Sequence, residues 1–216
     1  MIQKDELRKI LKSALREKFT QSSPDEIRSL SLAALENLVT IPPLRTAKMI
    51  MLYIELPCEF PITPFFVPLL NHPARRVVIP WCDGNRLRLF RLASSDEVEG
   101  QDDFRKICFE RLAPGAFGIQ EPKESFRLRS EFLIEPQQLD LVIMPGLGFD
   151  TACRRLGRGK GYYDRFVTTL RSGVPLAGVC FDEQIIETVP TEPHDRPLDY
   201  VVTPTRVCCA KLDLYG

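Results

Sequence analysis

Along this chain, short apolar runs bounded by turn residues alternate with stretches whose apolar positions recur every three or four residues. The first pattern reads as buried strands and the second as amphipathic helices. Residues 3–19 carry an apolar stripe of Leu7, Leu11, Ala14 and Leu15. A second helix is expected to start at Ser23-Pro24-Asp25-Glu26, where a cap residue precedes a proline and two acids, and to run to about Val39. Ile41-Pro42-Pro43 ends it. The run from Lys48 to Ile54 is expected as a central strand. A short helix from Thr63 through Leu70, a strand from Arg76 to Pro80, a turn over residues 81–85 and a strand from Leu87 to Leu92 follow. Residues 93–139 show little period, and Ser94 to Asp103 reads as an acidic loop. Leu141 to Met144 is a buried strand stopped by Pro145 and Gly146, a helix opens at Tyr162 and runs to about Leu170, and Pro175–Phe181 and Tyr200–Thr203 are further strands. The alternation predicts one α/β domain over residues 1–216, layered, with a mainly parallel central sheet flanked by helices in a Rossmann-like manner.

Composition narrows the partners. Of 216 residues 44% are hydrophobic and 27% charged, and 29 basic side chains balance 29 acidic ones. No global basic field exists to drive sequence-independent nucleic-acid binding. No apolar run approaches the roughly 20 residues a membrane span needs, and the N-terminus is too charged for a signal peptide. Seven cysteines without a C-x-x-C pair, and two histidines, point to free thiols in a reducing cytosol rather than a zinc site. A cytoplasmic protein is expected.

Candidate chemistry concentrates in residues 141–166. Glycines at 146, 148, 157, 159 and 161 accompany Arg154, Arg155, Arg158 and Lys160, and Tyr162 to Phe166 can enter a helix. Glycine backbone can curl around an anion, and fixed cations with a helix N-terminus add to the attraction. This suits phosphate, most plainly a nucleotide triphosphate; a basic surface loop is the competing reading. The spacing is neither a P-loop nor a dinucleotide fingerprint. On the first helix, Lys4, Arg8 and Lys12 recur every fourth residue. Like charges so spaced cost about 0.2–0.5 kcal/mol per pair, which either an anion or a solvated face relieves. Glu55 and Glu59 follow the first long strand, where ligand sites gather in open sheets; both also read as loop acids.

The strings MPGLGFD and RLGRGKGYYDR, with the later His194-Asp195, resemble the 5-formyltetrahydrofolate cyclo-ligase family, also called methenyltetrahydrofolate synthetase. The resemblance covers most of the chain. Lys4 and Arg8 match a lysine and an arginine four apart on the family's first helix, and Glu59 matches its glutamate after the first strand. Residues 118–122 match its GI-x-EP segment, 145–150 its PG-x-x-FD segment and 155–165 its glycine-rich signature. Cys153 departs from it, standing where many members have glycine. The resemblance implies that ATP and 5-formyltetrahydrofolate give 5,10-methenyltetrahydrofolate, ADP and phosphate. It implies Lys160, Arg158 and Tyr162 as catalytic residues. It implies Lys4, Arg8, Arg155, Leu156, Gly157, Arg158, Gly159, Lys160, Gly161, Tyr162 and Tyr163 against ATP. Tyr53, Glu59 and Phe117, with the loop from Arg158 to Tyr162, are implied against the folate, and Asp164 and Asp195 against Mg²⁺. A monomer acting on small molecules, without nucleic acid or membrane, is the accompanying expectation. Two alternatives stand beside it: an ATP-using homologue with another small N-formyl or carboxylate substrate, and a non-catalytic nucleotide- or folate-binding regulatory module. Retention of both Asp164 and Asp195 argues against the second.

Overall fold

The computed structural model describes residues 3–115, 118–192 and 195–210. Helices α1 (Lys4–Gln21), α2 (Pro24–Leu38) and α3 (Pro42–Thr46) lead into strand β1 (Met49–Met51). Helix α4 (Phe66–Leu70) precedes the hairpin of β2 (Arg76–Asp83) and β3 (Arg86–Ser94). Helix α5 (Gln101–Arg111), the pair β4 (Leu112–Pro114) and β5 (Gln120–Pro122), helix α6 (Glu124–Arg127) and β6 (Leu133–Ile134) follow. Then come β7 (Leu141–Met144), the pair β8 (Gly148–Phe149) and β9 (Arg155–Leu156), helix α7 (Tyr162–Val167), β10 (Leu176–Val179), β11 (Tyr200–Val202) and β12 (Val207–Cys209).

One sheet runs in the order β12-β11-β10-β7-β1-β2-β3-β6. Its centre, from β11 to β2, pairs in parallel, while β12, β3 and β6 pair antiparallel at the margins. The mainly parallel sheet flanked by helices is therefore as expected. Successive side chains on a strand point to opposite faces. Ile50, Val77, Ile79, Leu141 and Ile143 accordingly join one apolar core, and Met49, Met51, Val78, Val142 and Met144 the other. Ser23 and Glu26 form a reciprocal cap on α2, with hydrogen bonds of 3.2 and 2.7 Å.

Several boundaries differ from the sequence pattern. The β2–β3 hairpin turns on Gly84 and Asn85 alone, with Gly84 at φ 60°. A II′ turn needs that conformation at its first central residue, so Trp81 and Cys82 lie in strand rather than turn. Helix α5 begins inside the stretch Ser94–Asp103 expected to be an acidic loop and continues through residues expected to show little period; its first-turn acids Asp102 and Asp103 are a helix-start signal. Only Phe104 and Ile107 of α5 are buried, which leaves a weak apolar stripe. Helix α7 ends three residues early because Thr168 and Thr169 turn their hydroxyls onto the Arg165 and Phe166 carbonyls at 2.7 Å. The run from Lys48 leaves the sheet after Leu52, whose N–H still donates to the Val78 carbonyl at 2.8 Å.

Phe149 is fully buried and packs where two glycines leave room. A Cβ on Gly146 would sit 2.5 Å from its ring, and one on Gly178 would sit 2.4 Å away. The segment from Pro145 to Asp150 is thus held by shape. Asp150, also buried, accepts from the Arg154 and Val189 N–H groups at 2.9 and 2.8 Å. Gly178→Ala should cost about 1–3 kcal/mol by overpacking, read as a lower urea midpoint with an unchanged m-value. An unaltered midpoint would contradict this packing account.

Candidate active site

Strands β1 and β7 are neighbours at the centre of the sheet, and their connections diverge: β1 leads towards β2 on one side, β7 towards β10 on the other. Such a reversal opens a crevice beyond the carboxyl ends of the strands. Residues 52–62 leave β1 there, and residues 145–161 leave β7.

The second of these loops is held at both ends by one side chain. Arg155 donates from Nη1 to the Pro145 carbonyl at 3.1 Å, and its Nη2 pairs with Asp164. Arg8 of α1 donates from Nε to the Gly157 carbonyl at 3.0 Å. Arg165 of α7 bonds the carbonyls of Lys160 at 3.1 Å and Asn85 at 3.0 Å, and the Tyr162 hydroxyl donates to the Gly84 carbonyl at 3.1 Å. Gly159 and Gly161 lie at φ 96° and 66°, a backbone that glycine adopts without strain. Helix α7 has six residues, so the expected helix-terminus contribution gives way to loop N–H groups and side-chain charge.

This loop is the shared wall of two cavities. One is polar, about 590 Å³, and is lined by Lys4, Arg8, Arg155, Asp164, Asp195 and the glycines 157, 159 and 161. The other, about 450 Å³, has apolar walls from Ile54, Leu56, Pro80, Trp81, Leu87 and Pro145. Tyr53, Glu59, Arg158, Lys160, Tyr162 and Tyr163 also face it. Residues 155, 157, 159, 161 and 164 belong to both.

Most of the expected residues thus converge, with corrections. Of the cations assigned to phosphate, Lys4, Arg8 and Arg155 line the polar cavity, whereas Arg158 and Lys160 line the apolar one. Arg158 there donates from Nε to Glu59 at 2.6 Å. Leu156 buries its side chain in the core and offers the polar cavity only main chain. Tyr162 and Tyr163 face the apolar cavity, not the polar one. Phe117 and His194 lie outside the described residues. Glu59 lines the apolar cavity, 7% exposed, and also accepts from the Leu56 N–H at 2.8 Å. Glu55 instead accepts from Thr63 Oγ1 at 2.6 Å at the start of a helical turn. Tyr53 is buried with its hydroxyl donated to the Phe60 carbonyl at 3.0 Å, and burial, then the Glu59 charge, pushes its ionisation well upward. Sequence reasoning did not find Leu56, Trp81, Cys82 or Glu121 as cavity walls. Lys12 had a signal, as third member of the cationic stripe, and it too lines the apolar cavity.

The first-helix stripe is relieved by acids: Lys4 meets Asp195 at 2.6 Å and Glu192 at 3.5 Å from a distant loop, and Arg8 pairs with Asp5 one turn earlier on the same helix. Asp164 and Asp195 face the same polar cavity, each against a cation. No cluster of three histidine, cysteine or acidic side chains in metal-binding proximity occurs among the described residues. Two carboxylates beside a cation-lined space suited to phosphate fit a hard ion that takes its other ligands from phosphate and water; they do not make an all-protein cage. Cys153 sits at φ 60°, which explains why glycine suits that position.

Comparison with known proteins gives a consistent result. The model of the 5-formyltetrahydrofolate cyclo-ligase family matches residues 1–204. A probable 5-formyltetrahydrofolate cyclo-ligase of Schizosaccharomyces pombe is 28% identical over 95% of this chain and 97% of its own length. The 5-formyltetrahydrofolate cyclo-ligase of Mus musculus is 27% identical over 89% of this chain and 91% of its own. The solved structure of Aquifex aeolicus 5,10-methenyltetrahydrofolate synthetase superposes with a TM-score of 0.74 at 30% identity, covering 97% of this chain and 94% of that one.

Thiol chemistry checks the burial around the loop. Burial pushes the Cys153 thiol up to about 12 and that of Cys180 well above its ordinary value. The thiolate is the reactive form, so at pH 8 both should resist a thiol reagent in the native protein and react after denaturation. Prompt labelling of all seven thiols in the folded protein would contradict the structure.

Proposed function

This chain belongs to the 5-formyltetrahydrofolate cyclo-ligase family, and from that premise we propose how its two cavities divide the family's reaction. The protein is a ligase that uses ATP to convert 5-formyltetrahydrofolate to 5,10-methenyltetrahydrofolate, releasing ADP and phosphate. The triphosphate lies in the polar cavity and the reduced folate in the apolar one. The observation that carries this assignment is the loop from Arg155 to Gly161, which lines both.

A formamide oxygen is a poor leaving group. In the first step that oxygen attacks the terminal phosphorus, the bond to ADP breaks, and an iminium phosphate forms. The second folate nitrogen then attacks the formyl carbon. The carbon–oxygen bond breaks and phosphate leaves with the proton of that nitrogen. Catalysis of this kind rests on positioning and on charge set in place beforehand. Lys4, Arg8 and Arg155 hold the triphosphate. Lys160, on the folate side of the loop, meets the charge on the phosphoryl group as it crosses. Glu59 accepts from pterin N–H groups, and Arg158 keeps its carboxylate aimed. Tyr53 and Tyr163 supply flat apolar wall, while Tyr162 ties the wall to the hairpin tip. Asp164 and Asp195 would hold Mg²⁺, which would supply charge neutralisation to phosphate oxygens. The seven free thiols support a reducing, cytoplasmic setting.

The decisive assay mixes protein, 5-formyltetrahydrofolate, ATP and Mg²⁺ and follows the near-ultraviolet absorbance of the methenyl product. Growth that requires ATP supports the reading. A flat trace from folded, ATP-binding protein would transfer it to another small substrate. Lys160→Ala should lower turnover by a factor of about 10²–10³, the size seen for one charge-stabilising group, with an unchanged thermal midpoint. Wild-type turnover in that variant would remove Lys160 from the chemistry.

A further inference from the structure

One cation at this site has no counter-charge among the described residues. Lys12 lies on α1 one turn beyond Arg8, about 6 Å further along the axis, and it lines the apolar cavity. Its residue is partly buried, not splayed into solvent. The acids facing the same cavity are committed elsewhere: Glu59 to Arg158 at 2.6 Å, Glu121 to Arg127 at 2.9 Å, and Asp164 to Arg155. The neighbouring members of the stripe have partners too, Lys4 in Asp195 and Arg8 in Asp5. Lys12 makes no ion pair or hydrogen bond among the described residues. An ammonium group held against an apolar wall, with every nearby carboxylate spoken for, calls for an anion that arrives with the ligand.

We propose that Lys12 is a specificity-determining residue that binds a carboxylate of the substrate's glutamyl tail. The inference rests on the apolar cavity being the folate's. The formyl group has to sit at the loop shared with the phosphates, against which Arg8 is fixed through Gly157. The only anionic groups of the reduced folate are the glutamyl carboxylates, at its far end from the formyl group. Lys12 is set back from the shared wall by one helical turn and faces the folate side alone; it is absent from the walls of the polar cavity. The carbon stem of a lysine lies along apolar wall while its head reaches a charge, which suits both demands.

The test pairs one substitution with one truncated substrate. Lys12→Met keeps the stem and removes the charge, and Lys12→Arg restores it. The N-methylamide of 5-formyltetrahydropteroic acid keeps the reacting end and carries no carboxylate. For the intact folate, Lys12→Met should raise KM about two- to fivefold, the effect of one partly screened charge pair. The turnover number and the KM for ATP should stay unchanged, and Lys12→Arg should recover most of the loss. For the truncated substrate, wild type and Lys12→Met should share the same raised KM. An equal KM increase on both substrates would overturn the proposal and assign Lys12 to the reacting end. An unchanged KM on the folate would overturn it as well and leave Lys12 a solvated side chain. Failure of the wild type on both substrates despite ATP binding would count against the folate reading itself.

Discussion

The structure depends on the clamp made by Arg155. Its guanidinium joins the start of the loop at Pro145 to the first turn of α7 at Asp164, in a side chain only 7% exposed. Between those anchors the chain makes two left-handed turns at Gly159 and Gly161 and becomes a thin wall. A thin wall matters because the reaction needs a phosphorus and a formyl oxygen to meet, while the molecules carrying them want opposite surroundings. Triphosphate needs fixed cations and water; the pterin and benzoyl rings need apolar contact. A glycine-rich partition lets both conditions hold within one short span.

The charges follow from the same constraint. The chain is neutral overall, and its site cations are mostly held by acids, two of them drawn from distant segments. Lys4 reaches Asp195 across 191 residues of the sequence, and Arg158 reaches Glu59 across 99. Such pairs orient long side chains along the cavity walls and aim them at ligand atoms. Each also costs desolvation that the ligand must recover. Arg158 is the clearest case: with Glu59 nearly buried, losing either partner would strand the other charge in an apolar wall.

The sheet was legible from sequence because its strands are buried on both faces and read as unbroken apolar runs. Leu141–Met144 and Leu176–Val179 show this directly. Helix α5 was not, because it buries only two side chains and opens with acids that resemble a loop. Strand residues Trp81 and Cys82 were hidden by a tight turn two positions later. The site was legible as a string of residues but not as two compartments. Arg158 and Lys160 flank Gly159, and spacing along a loop does not say on which side of the wall each side chain falls. The φ of 96° at Gly159, invisible in sequence, is part of what decides it. Lys12 was visible as the third beat of a cationic stripe, and only the cavity gave it a side.

Oxygen transfer tests the central claim most directly. The account has the formyl oxygen attack the terminal phosphorus across the loop and leave with it. Substrate labelled with ¹⁸O in the formyl group should therefore release phosphate carrying one labelled oxygen for each methenyl product, resolved by the isotope shift in phosphorus NMR. Phosphate free of label, formed in step with product, would mean that ATP is split by water and that the two cavities do not share a reaction.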